Sequence, residues 1–255
     1  MAVQDRPSAF IAIETEQQAR YHLCAAYRLL AHFQMDDLIF THVSARVPNE
    51  DAFLINPFGL LFDEITPKRL VKVNFAGDVL DDNPYPANAA GYVIHSGILR
   101  DRPDLNSVVH THTRAGVALS CLEDGLLPIN QFAIEFHDRI GYHDYEGIAF
   151  NLDEGPRLLR DLGDNIALVL RNHGLLTVGA TIPAAFHFMY YLEQSAQVQL
   201  DVLGSGRPFL QPPAEVLALT AGQFTSRRNP PLAGHRMWPT LLRLLDKRYP
   251  GWSED

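Results

Sequence analysis

Residues 107–113 read Ser107-Val-Val-His-Thr-His-Thr113 and are predicted to form a strand with two histidines separated by one residue. Successive side chains of a strand point to opposite faces of the sheet. His110 and His112 are therefore expected on the same face, with Cα atoms about 6.5–7 Å apart. Two imidazoles at this spacing can converge on one metal ion, because Zn²⁺ binds histidine nitrogens at about 2.0–2.1 Å.

A third metal ligand has to come from elsewhere in the chain, because two protein ligands seldom hold an ion well. His173 is the best candidate, since it follows the predicted strand Ile166–Leu170 and precedes a glycine that lets the chain turn toward a cleft. The alternative is that His110 and His112 are ordinary sheet residues, hydrogen-bonded to their neighbours. A lone His-x-His pattern leaves both interpretations open.

Helical and extended patterns alternate on both sides of this strand, which indicates an α/β fold. The predicted helices are 14–33, 89–100, 115–122, 183–203 and 239–248, and the further strands are 39–47, 53–56, 70–75, 166–170 and 175–178. Thr66-Pro67 also predicts the N-cap and first residue of a short helix. We expect one domain over residues 1–205 and a C-terminal extension over residues 206–255, which packs on the same domain or on a neighbouring subunit.

The composition is that of a folded protein with an excess of acidic groups. Of the 255 residues, 47% are apolar and 20% are charged, and the formal net charge is −9. This charge argues against a nucleic-acid partner, and no apolar run of about 18 residues would span a membrane. Met1–Phe10 does not resemble a signal peptide, and Cys24 and Cys121 are too few for a disulfide framework. These features predict a cytoplasmic protein.

Five segments resemble, in order and spacing, the class II aldolase/adducin family over roughly residues 16–203. They are Thr41-His-Val-Ser-Ala-Arg46, Phe53-Leu-Ile-Asn-Pro-Phe-Gly59, Ile65-Thr-Pro67, Val108-Val-His-Thr-His-Thr113 and Arg171-Asn-His-Gly174. The resemblance implies a three-layer α/β/α fold around a mainly antiparallel sheet. It also implies a homotetramer with active sites near the subunit interfaces, and a metal ion held by His110, His112 and His173. One divalent ion per subunit is expected, Zn²⁺ first, with Mn²⁺, Fe²⁺ and Co²⁺ also suited to an all-imidazole site.

The chain departs from the sugar-phosphate aldolases of that family at two places. Those enzymes carry a Gly-Asn pair before the Val-Ser segment, where this chain has Thr41-His42. They also carry Ser-Ser-Glu on the helix before the metal strand, where this chain has Ala89-Ala90-Gly91. The donors that would hold a phosphate and the carboxylate that would take a proton are both lost. We therefore expect a small non-phosphorylated substrate.

Other side chains could replace the lost groups. His95 lies one helical turn after Gly91 on the same face, so it is a candidate catalytic acid/base or a fourth metal ligand. Its alternative role is to pack and hydrogen-bond behind the ligands. His42, Asn56 and Gly59 are candidate substrate-binding residues, although His42 could simply cap a strand.

Glu135 is a second candidate catalytic residue, together with His137 in the same loop. The resemblance implies a proton donor from this part of the chain, in some family members across the subunit interface. The alternative is that these residues form a solvated charged face.

Three function hypotheses follow from these features. The first is a metal-dependent lyase of retro-aldol or decarboxylase type that acts on a carboxylated small molecule, because both reactions pass through an enolate that a divalent ion stabilises. The second is a non-haem iron-dependent oxygenase, in which histidines around Fe²⁺ activate O₂. The third is a non-enzymatic scaffold like the adducin head domain. Three retained metal-ligand histidines favour an enzyme over the scaffold.

Overall fold

The computed structural model of the protein describes residues 12–149, 151–225 and 233–254. Within these residues the strands are β1 (His42–Arg46), β2 (Ala52–Ile55), β3 (Val71–Asn74), β4 (Ser107–Thr111), β5 (Ile140–His143), β6 (Ala167–Leu170) and β7 (Gly174–Gly179). The helices are α1 (Glu16–His32), α2 (Ala89–Asp101), α3 (Arg114–Ser120), α4 (Gln131–Ile134), α5 (Gly155–Leu162), α6 (Ile182–Gly204), α7 (Ala214–Thr225) and α8 (Trp238–Arg248). None of the described helices has the length and apolar character needed to cross a bilayer.

The seven strands form one sheet in the order β3-β2-β1-β4-β7-β6-β5. Every neighbouring pair is antiparallel except β5 with β6. The predicted mainly antiparallel sheet is therefore confirmed. Strand β4 lies at the centre, where His110 pairs with His42 of β1 and Thr111 pairs with Leu175 of β7. This register brings the histidine-bearing ends of three strands to the same end of the sheet.

Helices cover both faces of the sheet because apolar residues alternate between the faces along each strand. Val109 and Val169 pack with residues of α1, α3, α6 and α8. Val108 and Leu168 point the other way and pack with residues of α2 and α5. Each fully buried aliphatic side chain contributes roughly 1.5–3 kcal/mol to stability. The predicted α/β fold with three layers is confirmed.

Several local expectations differ from the structure. The predicted helix at Thr66-Pro67 is wrong: these residues open a turn in which the Arg69 amide bonds the Thr66 carbonyl at 3.1 Å. The chain enters β3 at Val71, which leaves too few residues for a helix. Elements β5, α4, α5 and α7 were not predicted. Strand β4 also ends at Thr111, one residue before His112.

The C-terminal part of the chain contacts the rest of the protein through α8. Trp238 and Leu245 are buried against the helical layer that contains α1, and the Trp238 indole donates to His22 Nδ1 at 3.0 Å. Helix α7 is more exposed, with Val216 and Leu219 facing solvent in the single chain. The boundary between residues 205 and 206 stays a prediction. The segment Met1–Phe10 and the pair Pro230-Pro231 lie outside the described residues.

The buried Tyr27 hydroxyl ties α1 to the ends of β1 and β2. It accepts the amides of Val43 at 2.7 Å and Asn56 at 3.0 Å, and it donates to the Val43 carbonyl. Burial raises the pKa of the Tyr27 phenol far above its usual range. The hydroxyl thus stays neutral and satisfies backbone groups that water cannot reach.

We expect Tyr27→Phe to lower the free energy of unfolding by about 1–3 kcal/mol, because it leaves buried backbone groups without a partner. Urea denaturation measures the change. Tyr190→Phe is the matched control, since the Tyr190 ring packs on Phe33 and Phe186 while its hydroxyl has no hydrogen bond among the described residues. An equal decrease in the free energy of unfolding in the two variants would contradict the role assigned to the Tyr27 hydroxyl.

Candidate metal centre

Three imidazole nitrogens converge at the end of β4. The Nε2 atom of His112 lies 2.9 Å from Nε2 of His110 and 2.9 Å from Nε2 of His173. One nitrogen from each ring fits within a cluster no wider than 4.8 Å. These three residues, called the histidine triad below, are the ligands expected from the sequence. The triad would hold a divalent ion through three imidazole nitrogens, the number of protein ligands typical of catalytic Zn²⁺ sites.

The turn between β6 and β7 brings His173 to the other two histidines. Asn172 has a φ of 55°, a left-handed conformation that asparagine tolerates better than most residues. At Gly174, a Cβ atom would lie 2.4 Å from the Thr111 carbonyl oxygen and 3.3 Å from the His112 ring. Only glycine therefore lets β7 approach β4 closely enough to place His173 beside His112.

Hydrogen bonds on the far side of two rings determine which nitrogen carries the proton. His110 Nδ1 lies 2.9 Å from the Leu175 carbonyl oxygen, and His112 Nδ1 lies 3.0 Å from Oδ2 of Asp37. A carbonyl and a carboxylate can only accept, so both Nδ1 atoms carry hydrogen. In the neutral rings the lone pairs then lie on the two Nε2 atoms that face each other. This donor set fits a metal cation, which removes the repulsion between the lone pairs.

Burial favours the neutral, metal-binding form of two members of the triad, His110 and His173. Burial, followed by the nearby His42, holds the pKa of His110 well below its usual range. Burial, followed by His112, lowers the pKa of His173 to about 4. These two rings therefore resist taking up a proton at neutral pH, and a divalent ion suits their nitrogens better.

A second pair of histidines lies directly behind the triad. His42 Nδ1 is 2.8 Å from His95 Nε2, and His95 Nδ1 is 2.5 Å from the Ser44 hydroxyl. The His42 and His110 rings are 5.0 Å apart between centroids. Burial, then the neighbouring imidazole, holds the pKa of His42 and of His95 well below the usual range. Both ring nitrogens of His95 are engaged, so this arrangement does not make His95 a fourth ligand.

The absence of a side chain at Gly91 makes room for His42. A Cβ atom on Gly91 would lie 2.8 Å from Cγ and Cδ2 of the His42 ring, and 2.9 Å from Cδ1 of Ile55. The sequence suggested that His95 replaces the missing carboxylate at this position. In the structure, His42 fills that space and His95 lies behind it.

The predicted substrate-binding residues Asn56 and Gly59 follow β2 at the same end of the sheet. Asn56 is fully buried, and its Nδ2 atom has no hydrogen-bond partner among the described residues, as is also the case for Thr41 Oγ1. Gly59 has a φ of 108°, and a Cβ there would meet open space. The glycine is needed for its backbone conformation, whereas Asn56 offers a free donor.

Glu135, the other predicted catalytic residue, does not join the histidine triad within one chain. Its carboxylate accepts from His187 Nε2 at 3.0 Å. It lines a cavity of about 680 Å³ that includes Gly179 and Ala180. This is the opposite end of β7 from Gly174, roughly 16 Å away at about 3.3 Å per residue.

Asp37 is a residue of the candidate site that no sequence pattern identified. It lies in the loop before β1, 75 positions from the histidine that it orients, and follows another aspartate. Ser44 was likewise not predicted, because its contact with His95 depends on how α2 packs on β1.

We expect Gly174→Ala to weaken metal binding at least about 10-fold, because the added Cβ pushes β7 away from β4 and separates His173 from His112. Titration against a chelator of known affinity measures this loss. Gly222→Ala is the matched control, since a Cβ at that helical glycine meets no atom within 4 Å. Unchanged affinity in a folded Gly174→Ala protein would show that the close approach of the strands does not control the site.

Comparisons with known proteins agree with the motifs. The Class II Aldolase and Adducin N-terminal domain profile matches residues 21–200. A Pseudomonas aeruginosa protein named for aldolase class 2 is 45% identical over 94% of this chain and 93% of its own length. Mouse alpha-adducin is 35% identical over 94% of this chain, which spans 36% of that protein. The structure of an L-fuculose 1-phosphate aldolase from Glaciozyma antarctica has a TM-score of 0.82 and 26% identity, and the match covers 95% of this chain and 98% of that one. The chain therefore belongs to the class II aldolase and adducin family.

Proposed function

We propose that the protein is a metal-dependent carbon–carbon lyase, of retro-aldol or decarboxylase type, acting on a small non-phosphorylated, carboxylated molecule. The observation that carries the proposal is the convergence of three imidazole nitrogens, with His112 Nε2 lying 2.9 Å from Nε2 of both His110 and His173. A divalent ion held there would bind substrate oxygens and stabilise the negative charge that develops as the carbon–carbon bond breaks. Zn²⁺ is the first choice, with Mn²⁺, Fe²⁺ and Co²⁺ as alternatives.

The surroundings of His42 support a substrate without a phosphate group. The His42 ring lies beside His95, His110 and Gly91, and burial holds the pKa of both neighbouring imidazoles well below the usual range. A phosphate dianion generally requires several donors or cations. The substrate-binding roles of Asn56 and Gly59 stay part of this proposal, with Asn56 Nδ2 enclosed in the single chain.

Glu135 can contribute to this reaction only through a second subunit. In one chain its carboxylate is paired with His187, away from the histidine triad. A homotetramer with interfacial active sites would bring the Glu135 region of one chain to the metal centre of another. This assembly is part of the proposal.

A non-enzymatic scaffold is the second candidate function. The likeness to mouse alpha-adducin over nearly the whole chain favours it. A scaffold has no need of a metal ion, so metal content separates the two candidates.

We expect protein purified without chelator or affinity metal to contain about one divalent ion per chain, and His110→Ala/His112→Ala to contain almost none, because two of three ligands are gone. Elemental analysis measures both. His32→Ala/His137→Ala is the matched control, since it removes two histidines outside the triad. The metal-loaded native protein should release CO₂ or an aldehyde from a panel of small carboxylic acids, and the double ligand variant should not.

Two results would redirect the assignment. Native protein that is metal-free and also refuses Zn²⁺, Mn²⁺ and Fe²⁺ would move the scaffold to first place. Oxygen uptake that depends on Fe²⁺, without CO₂ or aldehyde release under anaerobic conditions, would favour the iron-dependent oxygenase.

A further inference from the structure

We propose that His42 is the catalytic residue that moves the proton in this centre, and that His95 and Ser44 position it. This inference rests on the proposed lyase function and names the group that performs its acid/base step. It assigns to His42 a role different from substrate binding, and to His95 a positioning role behind it.

The His42 ring lies beside the candidate metal ligands. His42 pairs directly with His110 across β1 and β4, so both side chains leave the sheet on the same face. The ring then occupies the volume into which a side chain at Gly91 would project, at 2.8 Å from the position of the missing Cβ. His42 therefore stands beside the metal ligands without being one of the triad.

The two nitrogens of the His42 ring differ. Nδ1 is committed to His95 at 2.8 Å, whereas no described group bonds Nε2. Nε2 is not among the fully enclosed side-chain atoms without a partner, although the residue as a whole is only 3% exposed. One nitrogen of a buried ring that lies beside the ligand candidate His110 is thus uncommitted, and the other is anchored.

A hydrogen-bond chain lies behind the ring. In one tautomer, His42 Nδ1–H donates to His95 Nε2, and His95 Nδ1–H donates to the Ser44 hydroxyl oxygen. His42 Nε2 then carries a lone pair. When Nε2 takes a proton, the positive charge can be shared with His95, because the Nδ1 proton can move along the 2.8 Å hydrogen bond. A shared proton lowers the cost of charging a buried imidazole.

In a retro-aldol cleavage, His42 would transfer one proton twice. His42 Nε2 takes the hydroxyl proton of the substrate, and the O–H electron pair forms the carbonyl of the aldehyde as the carbon–carbon bond breaks. The electron pair of that bond becomes the enolate of the second product. His42 then returns the proton to the enolate carbon, which restores the neutral ring.

Hydrogen exchange in D₂O tests the proton transfer without requiring the natural substrate. The probes are pyruvate and hydroxyacetone, whose hydrogens beside the carbonyl exchange when a base forms the enolate. Loss of these hydrogens, followed by proton NMR, is measured for zinc-loaded native protein, His42→Gln and Gly91→Ala. The matched control is His32→Gln, which alters a histidine at the end of α1.

We expect the native protein and His32→Gln to exchange at similar rates, and His42→Gln to exchange at least about 100-fold more slowly, as for loss of an acid/base group. Zinc content should stay near one per chain in all of them. Gly91→Ala should also exchange the probe hydrogens slowly while it retains its zinc, because the new Cβ displaces the His42 ring. Exchange that persists in zinc-loaded His42→Gln would overturn this inference alone.

The positioning role of His95 has a separate readout. His95→Gln keeps an acceptor for His42 Nδ1–H and should retain more exchange activity than His95→Leu, by about 10-fold or more. In nitrogen-15 NMR, the His42 ring should show one protonated Nδ1 in the native protein, and a mixture of tautomers in His95→Leu. Equal exchange rates and unchanged His42 signals in the two variants would overturn that role. Failure of native protein to bind zinc, or to exchange either probe when loaded, would overturn the proposed function and this inference with it.

Discussion

The pairing of β4 between β1 and β7 is the constraint on which the site depends. Backbone hydrogen bonds of these antiparallel ladders fix His42 opposite His110, and Leu175 beside Thr111. A slip of one residue in either ladder would turn the paired side chains to the opposite face. The register, rather than any attraction between the imidazoles, therefore holds His42 and the triad at one end of the sheet, and the packing of α2 adds His95. Neutral imidazoles with facing lone pairs would not gather there by themselves.

The surrounding protein arranges the histidine triad as a set of donors that suits a cation. The Leu175 carbonyl and the Asp37 carboxylate select the tautomers of two ligands, so that lone pairs point inward. Such partners typically change metal affinity by 10–100-fold. Burying several imidazoles together costs free energy, and the fold tolerates this cost because strands and helices on both sides are packed into continuous cores. Stability generated in the cores thus supports a buried polar centre.

Two glycines shape the candidate centre because they have no side chain. At Gly174 the missing side chain allows β7 to approach the Thr111 carbonyl, and at Gly91 it allows the His42 ring to enter. Neither glycine carries a reactive side chain, yet each controls where a nearby imidazole lies. A change from a carboxylate-bearing residue to glycine at such a position does more than remove an acid, because it admits a different side chain into the same space.

Local patterns in the sequence determined much of this protein. The alternating pattern of residues 107–113 predicted that His110 and His112 act together, and the strand end before Gly174 identified His173. The family motifs added the three-layer fold with its mainly antiparallel sheet. The sequence patterns did not predict short segments whose structure depends on their neighbours. Thr66-Pro67 forms a turn because β3 follows at once. Among the described strands, β5 pairs with β6 alone.

Only the tertiary structure decided the partners of the predicted ligands. Asp37 meets a histidine 75 positions away, and His42 meets His95 53 positions away. Tertiary packing also places Glu135 at the far end of β7, away from the candidate metal centre. The physical reason is that a periodic pattern records which face a residue occupies, whereas contacts between distant segments depend on strand register and helix packing, which arise only when the whole core assembles.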